Sequence, residues 1–227
     1  MSNAMVQLEK ITKKYKQTVA VSECSLVLEK GKIYGLVGKN GAGKTTMMRM
    51  IAGLSIPSEG KLTVATERIG TLIEAPSLNG TMTAVENLKF YRMLAGETVQ
   101  ISDEELLRLV GLEAVGKKKV KDFSLGMRQR LGIAVALLGN PEFVMLDEPV
   151  NGLDPVGVVE IRNLIKKLNE EQGMTILISS HNLPELYQTA TDFIIIDKGR
   201  VKKEITQEEL EKEEKESLET YFLEVIK

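Results

Sequence analysis

The run Gly38-Lys39-Asn40-Gly41-Ala42-Gly43-Lys44-Thr45 constrains this chain more than any other stretch, because it fits the pattern G-x-x-x-x-G-K-[ST]. Glycines in such a run let successive backbone N–H groups curl inward toward anionic oxygens, where a Cβ would obstruct them. Lys44 adds a cation suited to the β- and γ-phosphates of a nucleotide, and Thr45 offers a hydroxyl to Mg²⁺. A helix opening here would aim the positive end of its dipole at the same anion. The flanks are the ones such a loop needs. Ile33–Val37 before it is an apolar run of strand character. Met47, Met48, Met50, Ile51 and Leu54 after it follow helical spacing, and Met47–Met50 reads as core packing. The expected ligands are ATP and Mg²⁺.

A hydrolytic end is legible further along. Phe143-Val144-Met145-Leu146-Asp147-Glu148 is an apolar strand ending in two carboxylates. Asp147, at the strand's C-terminal edge, is placed to hold Mg²⁺ through water. Glu148 is placed to orient and deprotonate an attacking water. His181, the only histidine, follows the strand at 175–180. At the end of a neighbouring parallel strand it would face the same crevice, as a γ-phosphate or water contact.

The strands form a pattern. Apolar runs rich in β-branched residues at 33–37, 143–146, 175–178 and 193–196 suit strands buried on both faces. Helical patterns lie between them. Asp154-Pro155 supplies an N-cap and a first-turn proline, Ile161, Leu164, Ile165 and Leu168 mark one apolar face, and Gly173 lies past the end. Alternation of this kind predicts an α/β fold with a mainly parallel sheet. From about 76 to 140 the chain reads as an inserted helical sub-lobe, with Val85, Leu88 and the run 91–94 in one segment. Ser102 with Glu105 has capping-box spacing ahead of a second segment. The charged tail at 202–216 reads as a solvated helix, docked by Tyr221, Phe222, Leu223, Val225 and Ile226.

Composition narrows the function classes. With 227 residues, 43% hydrophobic and 27% charged, residues 5–227 are expected to form one globular domain. A net charge of -2 argues against a bulk basic face, so no nucleic-acid partner is expected. The single cysteine, Cys24, forms no internal disulfide, suits a reducing compartment and reads as a small buried strand residue. No apolar run approaches the roughly 20 residues that span a bilayer, and the start is unlike a secretion signal. Contact with a membrane is therefore expected through a partner. The opening Met-Ser-Asn-Ala reads as a cloning remnant outside the fold, with Met5 as the natural start.

Taken together, these residues resemble the nucleotide-binding subunit of an ATP-binding-cassette (ABC) transporter, over essentially the whole chain after Met5. The stretch 38–46, including Thr46, matches Walker A, and 144–148 matches Walker B with its catalytic glutamate. Residues 151–154 look like the D-loop, His181 like the switch histidine, and Tyr15 like the aromatic residue that stacks on adenine. Phe123-Ser124-Leu125-Gly126-Met127, followed by Arg128-Gln129-Arg130, matches the signature motif but departs from its Leu-Ser-Gly-Gly-Gln consensus. Ser124 and Gly126 survive, opening a helix whose amides and hydroxyl suit a γ-phosphate. In the family this helix start is too far from its own chain's phosphate loop to reach it, so the resemblance implies a dimer, homo- or heteromeric.

Two further departures matter. Ile73-Glu74-Ala75-Pro76 puts Glu74 at the usual glutamine of the Q-loop, retaining an oxygen for Mg²⁺ or water and adding charge. With the altered signature, this resembles the bacitracin- and lantibiotic-export branch. The stretch from Gly60 to Gly70 is short, which implies a trimmed antiparallel β sub-lobe. The implied fold is thus a P-loop NTPase core with a mainly parallel sheet, a reduced antiparallel β sub-lobe and an inserted helical sub-lobe. The implied function is an ATPase driving a separate membrane permease, held peripherally at the cytoplasmic face of the membrane. The competing reading, an ABC ATPase acting on ribosomes or DNA, expects tandem cassettes or a coiled-coil insert, and this sequence has one cassette and no sustained heptads.

Overall fold

A computed structural model describes residues 3–96, 101–213 and 217–227. The strands along the chain are β1 (Ala4–Tyr15), β2 (Thr18–Glu29), β3 (Ile33–Val37), β4 (Glu59–Val64), β5 (Ile69–Leu72), β6 (Phe143–Asp147), β7 (Thr175–Ser180), β8 (Asp192–Asp197) and β9 (Arg200–Thr206). The larger sheet has the order β5-β6-β7-β3-β8-β9. Its first five strands are parallel and β9 is antiparallel to β8. Every residue of β3, β6 and β7 is buried, which is why these strands are written as unbroken apolar runs. The smaller sheet, β2-β1-β4, is wholly antiparallel.

The helices are α1 (Lys44–Ile51), α2 (Ala84–Ala95), α3 (Asp103–Leu109), α4 (Leu125–Ala136), α5 (Pro155–Gln172), α6 (Leu183–Tyr187), α7 (Gln207–Lys212) and α8 (Leu218–Val225). Their ends follow local rules. Thr83 with Glu86, Ser102 with Glu105 and Thr206 with Glu209 form complete capping boxes at α2, α3 and α7. Asp154 caps α5 by accepting from the Gly157 N–H at 3.1 Å, and Gly173 ends it in the left-handed region.

Two apolar clusters divide the interior. One packs α2–α8 on one face of the large sheet; the other packs α1 and the antiparallel sheet on the opposite face. α4 belongs to the inserted helices, yet it is tied to the core. Arg130 pairs with Glu160 of α5 at 3.4 Å and donates to the Gly111 carbonyl at 3.3 Å.

Some expectations change. The segment read as one charged helix from 202 to 216 begins as β9, and only then turns into α7; residues 214–216 lie outside the described residues. Tyr221 and Phe222 dock the tail as expected, but Leu223 is exposed. The expected segment with Val85, Leu88 and 91–94 is the single helix α2, in which Leu88 is buried while Met93 and Leu94 face outward. At the start, β1 begins at Ala4, which pairs with Glu29, and the Asn3 carbonyl just before it accepts a hydrogen bond from the Lys30 N–H.

Candidate active site

The phosphate loop leaves β3 and runs into α1, under crowding from two other strands. Gly43 has φ 106°, and a Cβ there would lie 2.6 Å from the Ala20 carbonyl oxygen of β2. A Cβ on Gly38 would lie 2.6 Å from the Ile196 carbonyl of β8. Only glycine fits either place. Lys44 is buried at the floor of the loop, where its ammonium donates to the Gly38 carbonyl at 2.7 Å. Burial pushes its pKa below the usual value, against an opposing pull from the carboxylates of Glu148 and Asp147. An anion at the loop would compensate this desolvated charge.

The loop opens on a cavity of about 240 Å³, with Asn40, Gly41, Gly43, Lys44, Thr45 and Thr46 on one side and Asp147 and Glu148 on the other. That is smaller than the roughly 300–1,000 Å³ of pockets that enclose a whole small-molecule ligand. It suits the phosphate end of a nucleotide, with the base outside.

Asp147 is buried, and both its oxygens are used. Oδ2 accepts from the Thr45 hydroxyl at 2.9 Å, and Oδ1 accepts from the Ser179 hydroxyl. Strand register sets the second contact, because Asp147 of β6 lies opposite Ser179 of β7. Thr45 and Asp147 thus present two hard oxygens side by side. This donor set fits Mg²⁺, which takes one or two protein oxygens and completes its shell from phosphate and water. No group of three or more His, Cys, Asp or Glu among the described residues would build an all-protein cage instead.

Glu148 follows with φ 51°, in the left-handed region that a glutamate rarely adopts. Its N–H is held by the Ser179 carbonyl at 3.1 Å. That turn swings the side chain back over the loop. Oε2 lies 2.8 Å from Nδ1 of His181, and Oε1 stands 3.9 Å from Nζ of Lys44. An ionised carboxylate can only accept, so Nδ1 carries the hydrogen of this bond. A base, an orienting imidazole and a phosphate-seeking cation therefore meet at one end of β6, β7 and β3. Such a set can take a proton from water beside a bound phosphate.

The remaining candidates lie elsewhere. Tyr15, at the end of β1, is 44% exposed and has the Lys13 ammonium 5.0 Å from its ring centroid; it does not line the phosphate cavity. Glu74 is exposed, adopts φ 69°, pairs with Arg49 of α1, and does not line the cavity that Thr45 and Asp147 share. Ser124 caps α4 by accepting from the Met127 N–H at 3.2 Å. Neither Ser124 nor Gly126 lines the cavity, and Gly126 lies beside Leu153 of the segment after Glu148. Sequence reasoning missed Ser179, which holds both acidic residues. The pairing of the strand ending in Asp147 with the one before His181 was the signal that could have found it. It also missed Ala20, at the rim of the cavity, and Arg49, for which no local signal exists.

Comparison with known proteins fits this geometry. The family model described as ABC transporter matches residues 21–151. The bacitracin transport ATP-binding protein BcrA of Enterococcus faecalis is 42% identical over 92% of this chain and 71% of its own length. The lantibiotic transport ATP-binding protein SrtF of Streptococcus pyogenes is 39% identical over 87% of this chain and 89% of its own. Among solved structures, a dimeric ATP-binding cassette in a post-hydrolysis state with ADP and Pi superposes with a TM-score of 0.80 at 27% identity, over 89% of this chain and 99% of that one. The resemblance drawn from the motifs, its likeness to bacitracin and lantibiotic transport ATP-binding proteins and its α/β fold are thereby borne out, and the chain belongs to the ABC transporter family as an ATP-binding, ATP-hydrolysing subunit.

Proposed function

We propose that this chain, as a single cassette, drives a separate membrane permease by closing and reopening a dimer of ATP-binding subunits. The observation that supports it most is the meeting of Glu148, His181 and Lys44 over a phosphate loop, while Ser124 and Gly126 stand apart from that loop. In this reading one subunit contributes Gly38, Asn40, Gly41, Gly43, Lys44, Thr45 and Thr46 to the triphosphate, and Tyr15 to the adenine. The helix start at Ser124 and Gly126 serves the site of a second subunit, identical or not.

Within the site, Lys44 and the loop amides hold the β- and γ-phosphates. Thr45 and Asp147 would hold Mg²⁺, which supplies charge neutralisation between the phosphates when bound. Glu148 accepts the proton of the attacking water, and His181 keeps its carboxylate oriented. Ser179 fixes the Asp147 carboxylate and the backbone of Glu148. Glu74, released from Arg49, would bring a further oxygen to the metal or water.

The transport role and its cargo come from the named relatives. Transport of bacitracin and of lantibiotics by BcrA and SrtF points to export of a peptide antibiotic or similar compound. No described helix is long and apolar enough to cross a membrane. We place the chain at the inner face of the cell membrane, held there by the permease.

The test is Glu148→Gln with Mg-ATP, followed by chromatography with light scattering. The expected result is loss of steady-state hydrolysis with an ATP-dependent dimer. Near-normal turnover, or a monomer at saturating ATP, would overturn the reading.

A further inference from the structure

His181 and Glu148 are carried by separate arms. Glu148 directly follows β6, six residues before the N-cap and start of α5, and His181 directly follows β7 and leads at once into α6, whose N-cap is Asn182. α6 has only five residues, so its own ladder of hydrogen bonds fixes little. Leu183 and Leu186 bury its apolar side. On its other side Glu185 pairs with Arg162 of α5 at 3.3 Å, and the same guanidinium donates to the Gln188 side chain just past the helix.

This pair differs from an ordinary surface ion pair, which contributes little to a fold. The Arg162 side chain is 18% exposed and that of Glu185 is 25% exposed. Nε of Arg162 and Oε2 of Glu185 are both buried without a hydrogen-bond partner, so the two are held as an ion pair, and Glu185 is the guanidinium's one carboxylate among the described residues. Removing Arg162 leaves the half-buried Glu185 carboxylate without its cation, and removing Glu185 leaves the guanidinium only the Gln188 side chain among the described residues. A planar fork that contacts Glu185 of α6 and Gln188 just past its end constrains the helix's orientation more than a single contact would. The arm from His181 is therefore tied, four residues beyond the histidine at Glu185, to Arg162 in the second turn of α5, the helix that follows Glu148.

We propose that Arg162 and Glu185 are positioning residues that hold His181 against Glu148, setting turnover without touching nucleotide. The proposal rests on the role given to His181 above. Arg162→Met, or the milder Glu185→Gln, should lower kcat about five- to twentyfold with ATP affinity changed less than twofold. The paired reversal Arg162→Glu with Glu185→Arg should restore most of the loss.

The experiment is a double-mutant cycle with His181→Ala, joined to NMR of the untagged full chain, in which His181 is the only histidine and gives one imidazole signal. Long-range proton–nitrogen spectra should show hydrogen on Nδ1 in the wild type, and a mixture of ring forms in Arg162→Met. In the His181→Ala background, Arg162→Met should change kcat less than twofold. If Arg162→Met costs the same factor with and without His181, or leaves the ring signal unchanged, the brace is overturned while the catalytic reading stands. Full turnover in His181→Ala alone would overturn both.

Discussion

The Glu148 carboxylate and the His181 ring meet at 2.8 Å across the ends of two adjacent parallel strands. Glu148 turns back through the left-handed region, and His181 follows the last residue of β7 directly. The other Glu148 oxygen faces Lys44, so base and phosphate-binding cation share one electrostatic site.

Lys44→Ala should weaken ATP binding. Hydrogen bonds to charged groups contribute roughly 1.5–3 kcal/mol, which corresponds to about a ten- to 150-fold loss of affinity. Calorimetric titration of the isolated subunit checks this, and unchanged affinity would contradict the phosphate role.

Gly43→Ala should destabilise the protein before it affects chemistry. Its φ of 106° and a Cβ 2.6 Å from the Ala20 carbonyl leave alanine no relaxed place. Strain of this kind is worth about 1–3 kcal/mol, and a chain of this size loses about 2–4 °C of Tm per kcal/mol. Calorimetry should show that drop together with lost ATP binding. An unchanged Tm would mean that the loop is free to move away from β2.

The fold's two halves were unequally legible. β3, β6, β7 and β8 announced themselves because burial on both faces demands unbroken apolar runs. β1 and β2 did not, because left-handed residues at Lys10 and Glu23 and repeated register shifts break their alternation. β9 reads as a solvated helix because Lys202, Lys203 and Glu204 occupy an edge, where charge protects unpaired backbone. In the site, the loop and the Asp147–Glu148 pair are contiguous and so visible in sequence. The hold of Ser179 on Asp147 depends on pairing between strands, and that of Arg49 on Glu74 spans the fold; both appear only in three dimensions.

Acid should loosen three helix starts in a defined direction. Glu86, Glu105 and Glu209 are held below the usual carboxylate value, first by the backbone N–H of the cap residue each one reaches back to. A carboxylate depressed on folding adds stability above its unfolded pKa and loses it as pH falls through the folded value. Carbon NMR titration should therefore find these three midpoints lower than in the unfolded chain, and Ser102→Ala should raise that of Glu105. No movement of Glu105 in that variant would contradict the capping account.

Cys24 should resist thiol reagents. It is 1% exposed and its S–H donates to the Gly199 carbonyl at 3.1 Å. Burial pushes the thiol's pKa up, which makes the reactive thiolate scarcer at neutral pH. Mass spectrometry should show labelling only after denaturation. Stoichiometric labelling of the native protein would contradict this burial.

The central claim is that the loop at 38–45 is half of a site completed by Ser124 and Gly126 of another subunit. Mixing two inactive variants tests it most directly. Lys44→Ala spoils the loop but keeps the helix start. Gly126→Asp keeps the loop, sets a negative charge at the helix start, and has room for a side chain, with the nearest atom 3.7 Å from its Cβ. Each should be nearly inactive alone, and their mixture should recover ATP hydrolysis well above either, through mixed dimers with one intact composite site. A mixture no more active than its parts, or Gly126→Asp hydrolysing ATP at the wild-type rate, would contradict the claim.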